Sequence, residues 1–203
     1  MDPEDELTGY LRIRRADLLA KLDGLGEYDV RRPMTPTGTS LLGLVKHVAY
    51  VQLGYLGDVF GRPSGRPYPW DDGGEEDADM WVPAEESRED VVELYRYSAA
   101  HADATVAALP LDAVGEVPWW PEERRHPTLH RVLVHLCVEV ARHAGHADVL
   151  RELIDGSAGM SVGNSNVPER SAEEWAAFRA RIEAAARQAA GPSTPNGAAP
   201  GDG

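Results

Sequence analysis

Glu139 and His143 are the two residues whose types and spacing most directly suggest chemistry. They lie four positions apart in residues 128–156, where the apolar pattern predicts one long helix. Residues i and i+4 of a helix are separated by about 40° around the axis and share one face. A carboxylate and an imidazole in this arrangement can bind the same divalent cation. The spacing therefore predicts two ligands of a metal site, and a third must come from elsewhere in the chain.

His47 is the candidate for that third ligand. It lies in the apolar segment 41–60, which predicts a second helix, and a histidine directed into a helical bundle needs a polar partner. Two imidazoles and one carboxylate around a cation with an open position are typical of a catalytic zinc site, not a structural one. The spacing leaves an alternative open, in which His47 lies on the exposed side of its helix beside Lys46 and the other histidines form a solvated face.

Further ligand-capable or charged residues lie near Glu139 and His143 on the predicted helix. His135 and His146 fall on the same stripe, within about 80° on the helical wheel. We assign His146 a hydrogen bond to the site or an acid/base role. Arg142 either borders the site, as a substrate-binding residue, or is a solvated surface arginine.

Trp119 and Trp120 precede this helix and are candidates for the wall of a substrate pocket, although they can equally cover one end of a bundle. Cys137 lies about 200° from Glu139 on the helical wheel, and we interpret it as a core thiol. The acidic residues of the loop 71–79 are interpreted as a solvated surface segment.

The elements that must position these side chains are helices. The apolar periodicity predicts a first helix that carries Leu7 and ends near residues 24–26, and others near 41–60, 87–109 and 128–156. A fifth helix is predicted from Ser171 to about residue 190. Ser87, Thr128 and Ser171 are suited to cap helix starts, and Gly156 to end a helix. The fold class is therefore an all-α bundle with at least four helices of bundle length.

Composition limits the function classes. The chain has 203 residues and a formal net charge of -14, which disfavours binding to nucleic acid or to an anionic membrane. There is one cysteine, no signal peptide and no apolar run of membrane-spanning length, so we expect a cytoplasmic protein. We expect one metal-binding domain at residues 1–190 and a disordered tail at residues 191–203, which are rich in Pro, Gly and Ala.

Two motifs carry a resemblance to a known family. Leu-Gly-Leu-Val-Lys-His at residues 42–47 and Glu-x-x-x-His-x-Gly-His-Ala-Asp at residues 139–148, followed by Leu-Arg-Glu at residues 150–152, resemble the DinB superfamily. The chain is most similar to the actinobacterial branch related to mycothiol-dependent maleylpyruvate isomerase and mycothiol S-transferases. The resemblance covers about residues 5–190. It implies an up-down four-helix bundle with a long crossover, here with an additional C-terminal helix.

The same resemblance implies a metal site and a chemistry. It places the metal ligands at His47, Glu139 and His143, with zinc as the usual ion and nickel or iron as alternatives. It implies a thiol S-transferase with mycothiol as thiol co-substrate, in which the metal activates the thiolate for attack on an electrophilic small molecule. The isomerase continues into a further C-terminal domain, whereas this chain continues into a low-complexity tail, so we favour the transferase.

Two other functions stay open at this point. One is a non-catalytic metal-binding bundle in a stress response, acting as a homodimer. The other is a hydrolase of the same fold that uses metal-bound water. A fourth protein ligand, such as His135 or His146, would favour the first, whereas an open coordination position facing Trp119 or Trp120 would favour an enzyme.

Overall fold

The chain folds into α-helices joined by loops. The computed structural model describes residues 2–161 and 164–191, and within them there are six α-helices and no β-strand, only isolated bridges. The helices are α1 (Pro3–Ala20), α2 (Glu27–Arg31), α3 (Leu41–Leu56), α4 (Arg88–Ala108), α5 (Leu129–Asp155) and α6 (Ala172–Ala190). The predicted all-α fold class is confirmed. The predicted disordered tail falls, from residue 192 onward, outside the described residues.

Local chemistry at the helix ends explains where the long helices begin and stop. Ser87 and Asp90 form a reciprocal capping box at the start of α4. The Thr128 hydroxyl accepts a hydrogen bond from the backbone N–H of Arg131 at the start of α5, and Gly156 ends that helix with a φ of 78°. The caps predicted at these ends are confirmed.

The first helix differs from its prediction. It ends at Ala20, and residues 21–24 form a turn instead of extending the helix to residues 24–26. The short α2 follows and packs against α3. Apolar spacing continues past Ala20 to the buried Leu22, which is why the sequence pattern alone overestimates the length of α1.

The four long helices of the first compact unit, residues 1–166, pack around one core. α3 packs extensively against α4 and also against α5, whereas α1 packs mainly against α5. The connection between α3 and α4, residues 57–87, is the long one and contains two short 3-10 helices. Because α3 and α5 are in direct contact, side chains on their facing surfaces can form a common site. The core side chains that α3 and α5 contribute include Leu41, Leu44, Val45, Val48, Leu53, Leu133, Leu136 and Val140.

The second compact unit is residues 167–203 and contains α6. This helix begins with the predicted capping box of Ser171 and Glu174, and Trp175 contacts Phe178 one turn later. The division of the chain into a domain at residues 1–190 and a tail stays a prediction. No helix within the described residues has both the length and the apolar character needed to cross a membrane.

Candidate metal centre

The packing of α3 against α5 brings His47, Glu139 and His143 together. Nε2 of His143 lies 3.0 Å from Oε1 of Glu139, and Nε2 of His47 lies 4.0 Å from the same oxygen. The three side chains offer ligand atoms that all lie within 4.8 Å of one another. In the described part of the chain, this is the one group of three or more His, Cys, Asp or Glu side chains with such spacing. Their role as metal ligands stays a prediction.

The spacing and the donor types fit a divalent cation. Ligand atoms held at about 2.1 Å from one tetrahedral zinc lie about 3.4 Å apart. The two distances to Glu139 Oε1 fall on either side of that value, so small side-chain rotations would adjust them. Two imidazole nitrogens and one carboxylate oxygen are ligands that zinc, nickel and iron all accept.

Burial keeps the His143 imidazole in the form that binds metals. The pKa of His143 is lowered from its ordinary value, first by burial and then by the neighbouring His47, while Glu139 opposes the shift. The ring is therefore neutral at neutral pH and has a free lone pair for a cation. Its Nδ1 is buried and has no hydrogen-bond partner among the described residues. Packing, and not a second hydrogen bond, fixes this ring.

Asp79 orients the other imidazole. Its Oδ2 lies 2.7 Å from Nδ1 of His47, and the residue is only 6% exposed. A carboxylate on Nδ1 fixes the tautomer of the ring and directs the Nε2 lone pair toward Glu139, as in many histidine ligands of metals. The interpretation of the acidic loop 71–79 as a solvated surface segment is therefore wrong for Asp79, because this carboxylate is buried against α3.

Gly43 explains how the loop approaches α3 so closely. A Cβ atom at this position would collide with the carbonyl oxygen of Met80, the residue after Asp79. Glycine removes that obstacle and lets the loop backbone lie on the helix one turn before His47. Close contact between the loop and α3 near the candidate site therefore explains why position 43 of the motif at residues 42–47 is a glycine.

Lys46 holds the same loop from the neighbouring position on α3. Its ammonium group donates to the Glu86 carboxylate at 2.8 Å and to the carbonyl oxygen of Trp81 at 3.2 Å. The residue is 4% exposed. The alternative that His47 lies on an exposed helix side beside Lys46 is therefore wrong, since the loop covers Lys46 and leaves His47 only partly exposed.

A cavity of about 540 Å³ opens beside His47 and Asp79. Most of its wall is apolar or aromatic. The wall includes Tyr50, Val51, Gly54, Tyr55, Asp58, Tyr68, Trp70 and Trp119. The structure thus places Trp119, a candidate for the pocket wall, at the cavity. A larger cavity of about 700 Å³, lined mainly by residues of α1 and α4, is more polar in its lining and lies away from the three ligand candidates.

Trp120 lies beside Trp119 but faces the helices. The indole N–H groups of both residues donate to the Tyr55 hydroxyl oxygen, at 3.0 Å for Trp119 and 2.9 Å for Trp120. The Trp120 ring also contacts His135 edge-on, with ring centroids 5.3 Å apart. Trp120 therefore supports the wall through Tyr55, and a direct contact with substrate stays a prediction.

The remaining predicted residues lie around this centre. His146 is exposed, and its ring contacts the His143 ring edge-on at a centroid distance of 5.6 Å. Arg142 is exposed. His135 packs against Tyr55, and burial lowers its pKa. The Cys137 thiol donates to the carbonyl oxygen of Leu7, and burial raises its pKa, as suits a core thiol.

Sequence reasoning missed Asp79 and the aromatic residues of the cavity other than Trp119. Tyr55 falls on the apolar side of its helix, where the pattern predicts a core side chain. Tyr68 and Trp70 lie in the long loop, where no periodicity relates them to α3. The density of aromatic residues in this loop was the one available signal.

Comparisons with known proteins found a matching family model and a solved structure of similar fold. A family model described as mycothiol-S-transferase matches residues 6–156, which contain most of α1, all of α2 to α5 and the three ligand candidates. The crystal structure of a conserved protein from Enterococcus faecalis has a similar fold, with a TM-score of 0.56 and 17% sequence identity. The match covers 77% of this chain and 99% of that one. Curated protein sequences gave no match.

Proposed function

Since the chain belongs to the mycothiol S-transferase family, we propose that it couples the thiol of mycothiol to an electrophilic small molecule with the help of a divalent cation. One observation carries the proposal. His47, Glu139 and His143 come together, and His47 also lines an aromatic cavity large enough for a small organic molecule. The metal is proposed to be zinc, with nickel or iron as alternatives.

The three side chains suit the chemistry that the reaction needs. Two neutral imidazoles and one carboxylate leave a divalent cation with a net charge of +1. Such a cation, when bound, lowers the pKa of a coordinated thiol so that the thiol is deprotonated at neutral pH. In the transfer, the thiol loses its proton, a sulfur–carbon bond forms, and the displaced electron pair leaves with the leaving group or moves into the substrate.

The protein contributes orientation and a water-poor environment. Asp79 holds the His47 ring with Nε2 toward Glu139, and burial holds His143 neutral. The aromatic wall holds the electrophile beside these residues and excludes water that would compete with the thiol. His146 and Arg142, at the exposed side of α5, are proposed to act on substrate from outside this wall.

The arrangement favours an enzyme over a closed, non-catalytic metal site. A closed site needs a fourth protein ligand, and the candidates were His135 and His146. His135 is packed against Tyr55 and Trp120, and His146 contacts the side of the His143 ring. No fourth side chain joins the group of three among the described residues. This supports an open coordination position.

Metal content and thiol transfer test the proposal together. Purified protein is analysed by plasma mass spectrometry, and conjugation of mycothiol to monochlorobimane is followed by fluorescence. We expect about one divalent ion per chain and activity with mycothiol, both lost in His47→Ala and His143→Ala. His130→Ala is the matched control, because His130 is an exposed histidine on the same helix. A metal-free protein after growth with zinc, nickel and iron would refute the proposal.

The identity of the thiol, and the question whether the thiol or water attacks the substrate, need separate controls. Replacing mycothiol by glutathione or cysteine should lower the rate, and release of a hydrolysed product without consumption of thiol would instead identify a hydrolase. Metal bound at full occupancy with no reaction across a panel of electrophiles would favour the non-catalytic bundle. These outcomes separate the three functions that the ligand set allows.

A further inference from the structure

The cavity beside His47 has a wall shaped for a flat molecule. Tyr68 and Trp70 stack with their ring centroids 4.9 Å apart and an interplanar angle of 20°. Tyr50 packs against both rings, at 5.6 Å from Tyr68 and 5.9 Å from Trp70. Trp119 packs edge-on against Tyr55, with centroids 5.4 Å apart. Aromatic faces of this kind favour planar, apolar ligands over sugars or polyols, which need many hydrogen bonds.

The charged groups of the wall disfavour an anionic ligand. Among the described residues, none that lines the cavity is a lysine or an arginine. Its two carboxylates already have partners within the protein. The Tyr68 hydroxyl donates to Asp58 at 2.6 Å, and Asp79 pairs with His47. A carboxylate on the ligand would meet these two carboxylates and no cationic side chain, so the side chains of the wall themselves favour an uncharged ligand.

Tyr55 receives hydrogen bonds at its hydroxyl group, whereas the Tyr50 hydroxyl, also in the wall, makes no hydrogen bond among the described residues. A phenol oxygen accepts two hydrogen bonds and donates one. Trp119 and Trp120 both donate to it, so its acceptor capacity is used. No acceptor for its own hydrogen is found among the described residues. Hydrogen bonds received by a hydroxyl also strengthen it as a donor.

We infer that the electrophile is a planar, uncharged molecule with an acceptor oxygen conjugated to the reactive carbon, such as an unsaturated ketone, and that Tyr55 donates a hydrogen bond to that oxygen. The inference rests on the proposed function and adds a substrate class and a substrate-binding residue to it. The two indoles fix the direction in which the Tyr55 hydroxyl donates. They are therefore positioning residues for Tyr55.

The chemical step balances without an oxidant or a reductant. The sulfur electron pair forms a bond to the terminal carbon of the C=C–C=O unit, and the alkene pair moves toward the carbonyl oxygen. That oxygen gains negative charge, which the Tyr55 hydrogen bond stabilises while Tyr55 keeps its proton. The proton lost by the thiol is returned, through solvent, to the carbon next to the carbonyl. The product is a thioether, one thiol added to one alkene.

Binding of two unreactive probes of the same shape tests this inference without metal or thiol. The probes are 2-acetylnaphthalene, which has a carbonyl oxygen, and 2-isopropenylnaphthalene, which has a methylene group in the same position. NMR titrations of the chelator-treated protein measure both dissociation constants. We expect the ketone to bind roughly fivefold to tenfold more tightly than the hydrocarbon, the usual range for one neutral hydrogen bond. Tyr55→Phe should abolish this preference while the hydrocarbon still binds.

Controls separate Tyr55 from other phenols and from unfolding. Tyr97→Phe removes a hydroxyl that donates to the carbonyl oxygen of Ser64. Tyr97 is not among the residues that line the cavity, so this variant should keep the preference. Retained hydrocarbon binding shows that the cavity is intact in each variant. Equal binding of both probes to the parent, or loss of the preference in Tyr50→Phe and not in Tyr55→Phe, would overturn the inference. Neither result would touch the proposed transferase function, which is measured by metal content and thiol transfer.

Discussion

Nδ1 of His47 and Oδ2 of Asp79 lie 2.7 Å apart, although the two residues are separated by 32 positions in the chain. This hydrogen bond joins the loop between α3 and α4 to the candidate metal centre. It also determines which nitrogen of His47 faces Glu139. The loop therefore has a direct influence on the orientation of His47, one of the three ligand candidates.

Replacing Asp79 by Asn should weaken metal binding without abolishing it. The amide keeps the shape of the side chain but loses the charge that fixes the His47 tautomer. We expect zinc affinity to fall by roughly tenfold to one hundredfold, the usual effect of removing such a partner. Competition with a chromogenic chelator measures the affinity. Asp77→Asn, an exposed residue of the same loop, is the control, and equal affinities of the two variants would contradict the prediction.

Replacing Gly43 by Ala should displace the loop. The added Cβ would collide with the carbonyl oxygen of Met80, which belongs to the backbone and cannot rotate away as a side chain can. We expect a loss of about 1–3 kcal/mol in the free energy of unfolding and a drop in zinc affinity. Urea unfolding measures the free energy of unfolding, and competition with the chelator measures the zinc affinity.

Gly9→Ala on α1 provides the comparison for Gly43→Ala. A Cβ at Gly9 meets no neighbouring atom, so alanine should leave the protein as stable as before or stabilise it by up to about 1 kcal/mol. If Gly43→Ala behaved like Gly9→Ala in both assays, the loop would not depend on the close approach at Gly43.

Removing the metal should lower the stability of every variant in which the three ligand candidates are intact. A cation that binds the folded state at a free concentration of about one hundred times its dissociation constant adds about 2.7 kcal/mol. Thermal unfolding with zinc and with excess chelator measures the difference. We expect a clear shift for the parent and for His130→Ala, and none for His143→Ala. A zinc-dependent shift that persists in His143→Ala would place the binding site elsewhere.

The pH dependence of stability should include a contribution from His135. Burial lowers the pKa of His135 from its ordinary value of 6.5, with Glu139 opposing. As pH falls through the ordinary pKa, the unfolded chain takes up a proton that the folded protein takes up only at lower pH. The contribution of His135 to the free energy of unfolding is therefore fully present above the ordinary pKa. It is lost as pH falls toward the pKa that His135 has in the folded protein.

The variant His135→Gln isolates this contribution. Glutamine does not titrate, so the free energy of unfolding of the metal-free variant should fall less than that of the parent between about pH 7.5 and pH 5. Urea unfolding across this range gives both curves. Parallel curves would show that His135 titrates alike in the folded and unfolded chain.

The parts of the site that the sequence predicts are those set by local geometry. Glu139 and His143 are one helical turn apart, so their common face follows from helix geometry alone. The caps at Ser87, Thr128 and Gly156 likewise depend on a few neighbouring residues. His47 required a guess about which helices pack together, and the apolar segment around it made that guess reasonable.

The parts that were missed depend on contacts between distant positions. Asp79 lies in an acidic loop whose composition indicates solvation, and only the approach of that loop to α3 buries it. Tyr55 belongs to an apolar stripe, so its hydroxyl group was not recognised as part of a cavity. The aromatic residues of the loop have no periodicity that could relate them to a helix. Tertiary packing decides the role of all these residues.

The long loop is attached to α3 through contacts with Lys46 and His47. This attachment divides the loop into two parts that should differ in how well they tolerate substitutions. Residues from Asp79 to Glu86 are tied to the helix by side-chain contacts, whereas Tyr68 and Trp70, which line the cavity, precede them. Substitutions in the earlier part can change which molecules fit without disturbing the ligand set. Within this one loop, the segment that carries Tyr68 and Trp70 is thus separate from the segment that contacts His47 and Lys46.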